Sequence, residues 1–155
     1  MPTDSNQKQL SIPEVIVAAM QEQGVSKRMV GPYILSILKE SSMPNTDVRT
    51  FGNTAFITHI KEKEGMKAAF GRPLNADTAR NYLKNVEEYI KSLVDQSVSH
   101  FITYYKDPRI DTVIKYIKLP KVQKRIGAEL DVKTKKTNSN TVVGVIVRKR
   151  NAERS

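Results

Sequence analysis

"AAFGRPLNADTARNYL", residues 68–83, joins an apolar segment ending at Phe70 to the start of an amphipathic helix. Strand, glycine-containing turn, helix N-terminus is the order in which several folds cradle a phosphate. Backbone N–H groups then point at the anion, and the helix dipole favours negative charge. Three residues work against that use. Pro73 has no N–H to donate. Asp77 brings a negative charge of its own, and Asn75 is a good N-cap that can start the helix without a ligand. The stretch therefore reads either as a phosphate cradle or as a capped helix start.

Downstream, residues 75–96 carry the clearest periodicity in the chain. Tyr82, Leu83, Val86, Tyr89, Ile90, Leu93 and Val94 form one continuous apolar stripe at helical spacing. Asn75 is the expected N-cap, with Asp77 in the first turn where the dipole favours an anion. Residues 99–105 then read as a strand and 109–118 as a helix that Pro120 ends. A short turn leads to Gly127, and "AELDVKT" (128–134) and "TVVGVIVRK" (141–149) pair as a hairpin around the polar loop "KKTNSN".

Upstream lies a β section. Residues 47–51 form a short strand. In 53–61, Phe56, Thr58 and Ile60 face one way and Ala55, Ile57 and His59 the other. "EKEG" turns the chain and 66–70 is the returning strand. Two helices come first. One is capped by Ser11 and runs to about Gln23, with Gly24 ending it. The other spans 27–40 with Met29, Val30, Tyr33, Ile34, Ile37 and Leu38 on one face, and Pro32 either kinks it or marks its true start. Residues 1–10 and 151–155 read as flexible tails around a single domain, 11–150.

Composition narrows the chemistry. The chain has 155 residues, the size of one domain, and no cysteine, which excludes disulfides, thiolate metal sites and cysteine nucleophiles. With His59 and His100 as the only histidines, neither a zinc site nor a serine–histidine–aspartate triad has much material. No apolar run approaches the roughly 18 residues of a membrane span, and the polar N-terminus is no signal peptide, so a cytoplasmic protein is expected. Net charge is +10, and it is unevenly placed: residues 1–60 balance five basic against five acidic residues, whereas 106–155 hold 14 basic and 5 acidic. Such a surface favours nucleic acid, nucleotide cofactors or an acidic protein, or simply keeps the chain soluble.

The element order, with hairpins flanking a strand–helix–strand unit, predicts an α+β domain with a mixed sheet of about six strands and about four helices. Over residues 12–148 this order resembles the GNAT acyltransferase superfamily, and "KVQKRIGAELDV" (121–132) is similar to that family's passage from its fourth helix through a glycine into the next strand. The family's first strand has no counterpart. The resemblance implies a long helix bearing the pyrophosphate of acyl-coenzyme A beside two splayed strands. It also implies N-acetyl transfer from acetyl-coenzyme A if the chain is active. Short, cysteine-free, lysine-rich chains of this kind also look similar to proteins encoded by tailed bacteriophages, which would place it in a host cytoplasm or a virion.

Site residues follow from that resemblance. The family's loop Arg/Gln-x-x-Gly-x-Gly/Ala maps onto Arg72 to Asp77. Asn75 stands at the first glycine and Asp77 at the second glycine or alanine, so Ala69, Phe70, Gly71, Arg72, Asn75 and Ala76 would align the cofactor. Four residues before Gly127, where the family often has a tyrosine acid, stands Gln123. Tyr104, Tyr105 and Tyr116 are the nearby alternatives, and His59 is the candidate base. The basic hairpin gives a second, non-enzymatic reading. Lys133, Lys135, Lys136, Arg148, Lys149 and Arg150 lie near its two ends, on one edge, where they could meet nucleic-acid phosphates without sequence preference or dock on an acidic partner. Assembly with copies of itself, or into a virion, is the third.

Overall fold

A computed structural model describes residues 10–22, 24, 26–105, 110–136 and 141–149. Among them the elements run α1 (Ile12–Glu22), α2 (Lys27–Ser41), β1 (Thr46–Phe51), β2 (Thr54–Lys63), β3 (Met66–Asn75), α3 (Ala79–Asp95), β4 (His100–Tyr105), α4 (Ile110–Ile117), α5 (Pro120–Ile126), β5 (Ala128–Lys136) and β6 (Thr141–Lys149). The strands form one sheet in the order β1-β2-β3-β4-β6-β5. Every neighbouring pair is antiparallel except β3 and β4, which are parallel. The expected α+β class and six-stranded mixed sheet stand. The expected tails, beyond Leu10 and Lys149, lie outside the described residues.

Local chemistry accounts for most boundaries. Ser11 and Glu14 form a reciprocal capping box on α1, each accepting from the other's backbone N–H at 3.3 and 2.9 Å. Glu64 and Gly65, both at positive φ, make the two-residue turn between β2 and β3. Three expectations need correction. First, α5 is a fifth helix where a turn was expected. Pro120 sits at its first position, where a missing N–H costs nothing, Val122 and Ile126 bury one face, and left-handed Gly127 stops it. Second, α3 starts at Ala79 with Thr78 as N-cap, not Asn75. Third, β3 runs on past Phe70 to Asn75, paired with β2 as far as Thr54↔Asn75. Beyond Gly71 it has no partner on its β4 side among the described residues, so Pro73 lies on a local edge, where proline is tolerated.

The sheet separates two cores. On one face α1 and α2 pack over β1–β3, with Val15, Ile16, Met20 and Ile37 against Ala55, Ile57 and Leu74. On the other, α3, α4 and α5 pack across the sheet, with Val86, Ile90 and Leu93 meeting Phe56, Phe101 and Val145. Phe56 and Ile57 thus face opposite ways, as the alternation of β2 predicts. The stripe of α2 is narrower than expected. It comprises Val30, Tyr33, Ile34 and Ile37, while Met29 and Leu38 are 57 % and 46 % exposed. Those two fall about 90° to either side of the inward-facing direction of a 3.6-residue helix. The helix begins at Lys27 and runs through Pro32.

Candidate functional site

The parallel pairing of β3 with β4 lasts four residues, from Ala68↔His100 to Gly71↔Thr103, and then stops while β3 continues. The two strands part at the position occupied by Gly71. The opening is filled from the α3 side. Tyr89 is buried, its ring stacks on Phe56 at 4.0 Å between centroids, and its hydroxyl shares a 2.7 Å hydrogen bond with the buried Thr58 hydroxyl. Burial pushes the Tyr89 phenol up to about 12, against the opposing hydrogen bond from Thr58. A Cβ on residue 71 would stand 2.5 Å from the Tyr89 hydroxyl oxygen, so glycine here makes room for a tyrosine. What remains beside it is a cavity of about 40 Å³ lined by carbon-rich side chains such as Phe101, Ile114, Ile117 and Val143. Small-molecule sites occupy about 300–1,000 Å³.

At the end of β3 the chain builds a closed polar network. Asn75 forms an Asx turn, accepting from the Asp77 N–H at 3.0 Å and donating to the Asp77 carbonyl at 3.0 Å, and it accepts from the Thr54 hydroxyl at 2.7 Å. The Asp77 carboxylate takes four donors. Oδ2 accepts from the Asn53 backbone N–H and from Asn85 Nδ2, each at 3.0 Å. Oδ1 accepts from the Thr78 N–H at 3.1 Å and from Asn81 Nδ2 at 3.2 Å. Partial burial raises the pKa of this carboxyl, but the bonds from Asn53, Asn85, Asn81 and Thr78 outweigh it and hold the group below the usual aspartate value. Thr78 Oγ1 accepts from the Asn81 N–H at 3.2 Å. In the first turn of α3 only the Ala79 and Arg80 amides lack an acceptor among the described residues. The β1–β2 turn closes over this network. A Cβ on Gly52, which sits at φ 56°, would lie 2.7 Å from Asn85 Oδ1 and 2.9 Å from Asp77 Oδ2.

Of the candidate catalytic residues, His59 and Tyr116 are not gathered together. His59 lies on the α1/α2 face of β2, where Nδ1 shares a 2.8 Å hydrogen bond with the Thr46 hydroxyl and the ring tilts against Phe70 at 6.4 Å. Tyr116 lies across the sheet on α4, donating to Glu87 Oε1 at 2.6 Å and accepting from Arg125 at 3.3 Å. Burial first, and then the Glu87 carboxylate, push its pKa up. The sheet thus stands between His59 and Tyr116. Gln123 closes the α4–α5 corner, its Nε2 donating to the Ile117 carbonyl at 3.1 Å and to the Leu130 carbonyl at 3.4 Å. The side chains of Tyr104 and Tyr105 lie outside the described residues.

Of the candidate cofactor contacts, Ala69, Phe70, Gly71 and Arg72 are all within β3, Asn75 ends it and Ala76 follows. Arg72 turns away from the opening, pairing with Glu40 of α2 at 2.9 Å and lying over the Tyr33 ring. On the basic hairpin, β5 is an edge strand and Lys133, Lys135 and Lys136 are exposed at its far end. Arg148 lies opposite Glu129, four residues back along β5, or about 13 Å, and its guanidinium is 3.8 Å from Asp131. The side chain of Lys149 and all of Arg150 lie outside the described residues.

Sequence reading missed the four-donor nest of Asp77, because Asn53 reaches it from a turn 24 residues away. It also missed that lysines 115, 118, 121 and 124, spaced every third residue, are all exposed on α4, α5 and their junction. Among the described residues no group of histidine, aspartate and glutamate could hold a metal ion, and no helix is long and apolar enough to cross a membrane. No family model and no curated protein matches the chain.

Proposed function

We propose that the chain is a GNAT-like domain whose acyl-coenzyme A site is closed from within, and that it acts as a non-enzymatic module binding nucleic acid through its basic surface. Support for the fold comes from the strand order, from the parallel pair β3–β4 that separates after Gly71, and from the closing hairpin that sets β6 between β4 and β5. The observation that carries the loss of cofactor is the Asp77 carboxylate. It places a negative charge at the start of α3, where a pyrophosphate would sit, and it takes the Asn53 and Thr78 N–H groups and the Asn81 and Asn85 amides as its own donors. A second anion about 4 Å away would be repelled by roughly 4 kcal/mol at an intermediate dielectric, more than the typical contribution of a helix dipole, under about 1 kcal/mol. The 40 Å³ left between the strands does not accommodate a pantetheine arm. The residues present do not fit acetyl-coenzyme A.

Nucleic-acid binding rests on the net charge of +10 and on exposed lysines that form no ion pair among the described residues. Calorimetry with acetyl-coenzyme A separates this reading from an active N-acetyltransferase, which draws on the strand separation alone. No heat is expected at millimolar ligand, and saturable micromolar binding would overturn the closed-site reading.

A further inference from the structure

The outer surface of α3 and α5 is bound together by one ion pair and otherwise carries cations that form none among the described residues. Glu87 of α3 receives Arg125 of α5 through two bonds, at 2.9 and 2.7 Å, and the Tyr116 hydroxyl through a third. The Arg125 guanidinium, then the Tyr116 hydroxyl, hold the Glu87 carboxyl below its usual pKa against the effect of burial. This acid is thus consumed inside the structure. Around it, Arg80, Lys84 and Lys91 occupy positions seven and three residues before Glu87 and four after it, which is one side of a helix. On α5, Lys121 stands one turn before Arg125 and Lys124 beside it. All five are exposed and none forms an ion pair among the described residues, although the Lys84 charge reaches Glu87. The exposed acids of α3 are Glu88, rotated by about 100° from Glu87, and Asp95, which ends the row one turn beyond Lys91.

We infer that this α3–α5 face, rather than the β5–β6 hairpin, is the surface that meets the phosphate backbone of a nucleic acid. The inference rests on the binding reading above and gives it a location. From Arg80 to Lys91 the helix rises about 16 Å, the span of about five phosphates of one duplex strand at about 3.4 Å each. The chemistry favours a backbone over a protein partner. Protein interfaces are depleted of lysine at their centres and rely on aromatic and apolar anchors. Here the only large apolar side chain markedly exposed on α3, α4, α5 or the α4–α5 junction is Leu119. The aromatic of this face, Tyr116, is half-buried and tied by its hydroxyl to Glu87 and Arg125 rather than presented to a base, so binding is salt-dependent and indifferent to sequence. The hairpin is a weaker candidate, because Glu129 and Asp131 share a face with Lys133 and Lys135 and Arg148 already leans on Asp131.

Two variants with equal loss of charge test the location. One carries Lys84→Gln, Lys91→Gln and Lys124→Gln, the other Lys133→Gln, Lys135→Gln and Lys136→Gln. Each is titrated against a short DNA duplex of arbitrary sequence between about 50 and 200 mM salt, with matched thermal melts showing that both fold. The helical variant is expected to bind at least about tenfold more weakly at the lower salt, with a salt slope shallower by about 0.9 for each phosphate it no longer neutralises. The hairpin variant keeps the slope of the unaltered protein. Equal losses, or a loss confined to the hairpin variant, overturn the location while leaving nucleic-acid binding intact. If the unaltered protein does not bind the duplex, binds it independently of salt, or prefers phosphatidylserine vesicles, the binding reading itself fails.

Discussion

Helix α3 treats charge in opposite ways at its N-terminus and along its outer side. At the N-terminus, Asp77 is surrounded by four donors from the β1–β2 turn and from α3 and its cap. Along the outer side, Arg80, Lys84 and Lys91 are exposed without an ion-pair partner among the described residues. A carboxylate with four donors stabilises the fold and has little left to offer a ligand. An exposed cation contributes little to stability and remains available to a partner. The same separation holds at the strand opening, where Gly71, which resembles a phosphate-loop glycine in sequence, instead accommodates a buried tyrosine.

The contrast predicts a graded series. The largest loss is expected for Gly71→Ala. Its Cβ must displace the Tyr89 hydroxyl from Thr58, costing about 3 kcal/mol, the upper end of ordinary overpacking, read as a drop in the denaturation midpoint. A melting temperature equal to that of the unaltered protein would mean that Tyr89 does not fill the opening.

Asp77→Ala comes next, at about 2 kcal/mol, because charge-assisted hydrogen bonds are lost and the donors left behind are partly buried. Its pH dependence sharpens the prediction. The folded pKa lies below the unfolded one, so the stabilisation is complete above the ordinary aspartate value of about 3.9 and drains away as the pH falls through the lower folded value. Melting curves of the variant and the unaltered protein should therefore converge in acid. A constant gap from neutral pH to pH of about 3 would show that the carboxylate charge plays no part.

Thr78→Ala removes the N-cap of α3 and should cost about 1 kcal/mol, measured by urea titration. Smallest of all, Lys84→Gln or Lys91→Gln should stay within about 0.5 kcal/mol of the unaltered protein. A larger loss would place these lysines in the fold and break the contrast.

Much of the fold was legible because its signals are local. The apolar stripe of α3, the alternation of β2 and the Ser11 cap of α1 each need only residues a few positions apart. The errors came where a distant partner supplies the missing term. Read alone, Gly71-Arg72-Pro73 looks like a loop. β2 turns it into strand by offering a ladder from Thr58 to Thr54. By residue type Asn75 is the stronger N-cap, but Thr54 and Asp77 engage its side chain and the cap falls to Thr78. The α5 stripe, Val122 and Ile126, is too short to announce a helix without the core it buries against.

The site divides in the same way. That an anion-favouring helix start follows an apolar strand, with an aspartate in it, was written in residues 68–83. That the aspartate is held by four donors beside the helix start, and that a tyrosine 18 residues past Gly71 occupies the opening, depended on the meeting of the β1–β2 turn, β2 and α3 in three dimensions. Helical and strand periodicities are encoded in neighbours along the chain. The pairing of a carboxylate with its donors depends on which distant segments the sheet brings within hydrogen-bond range.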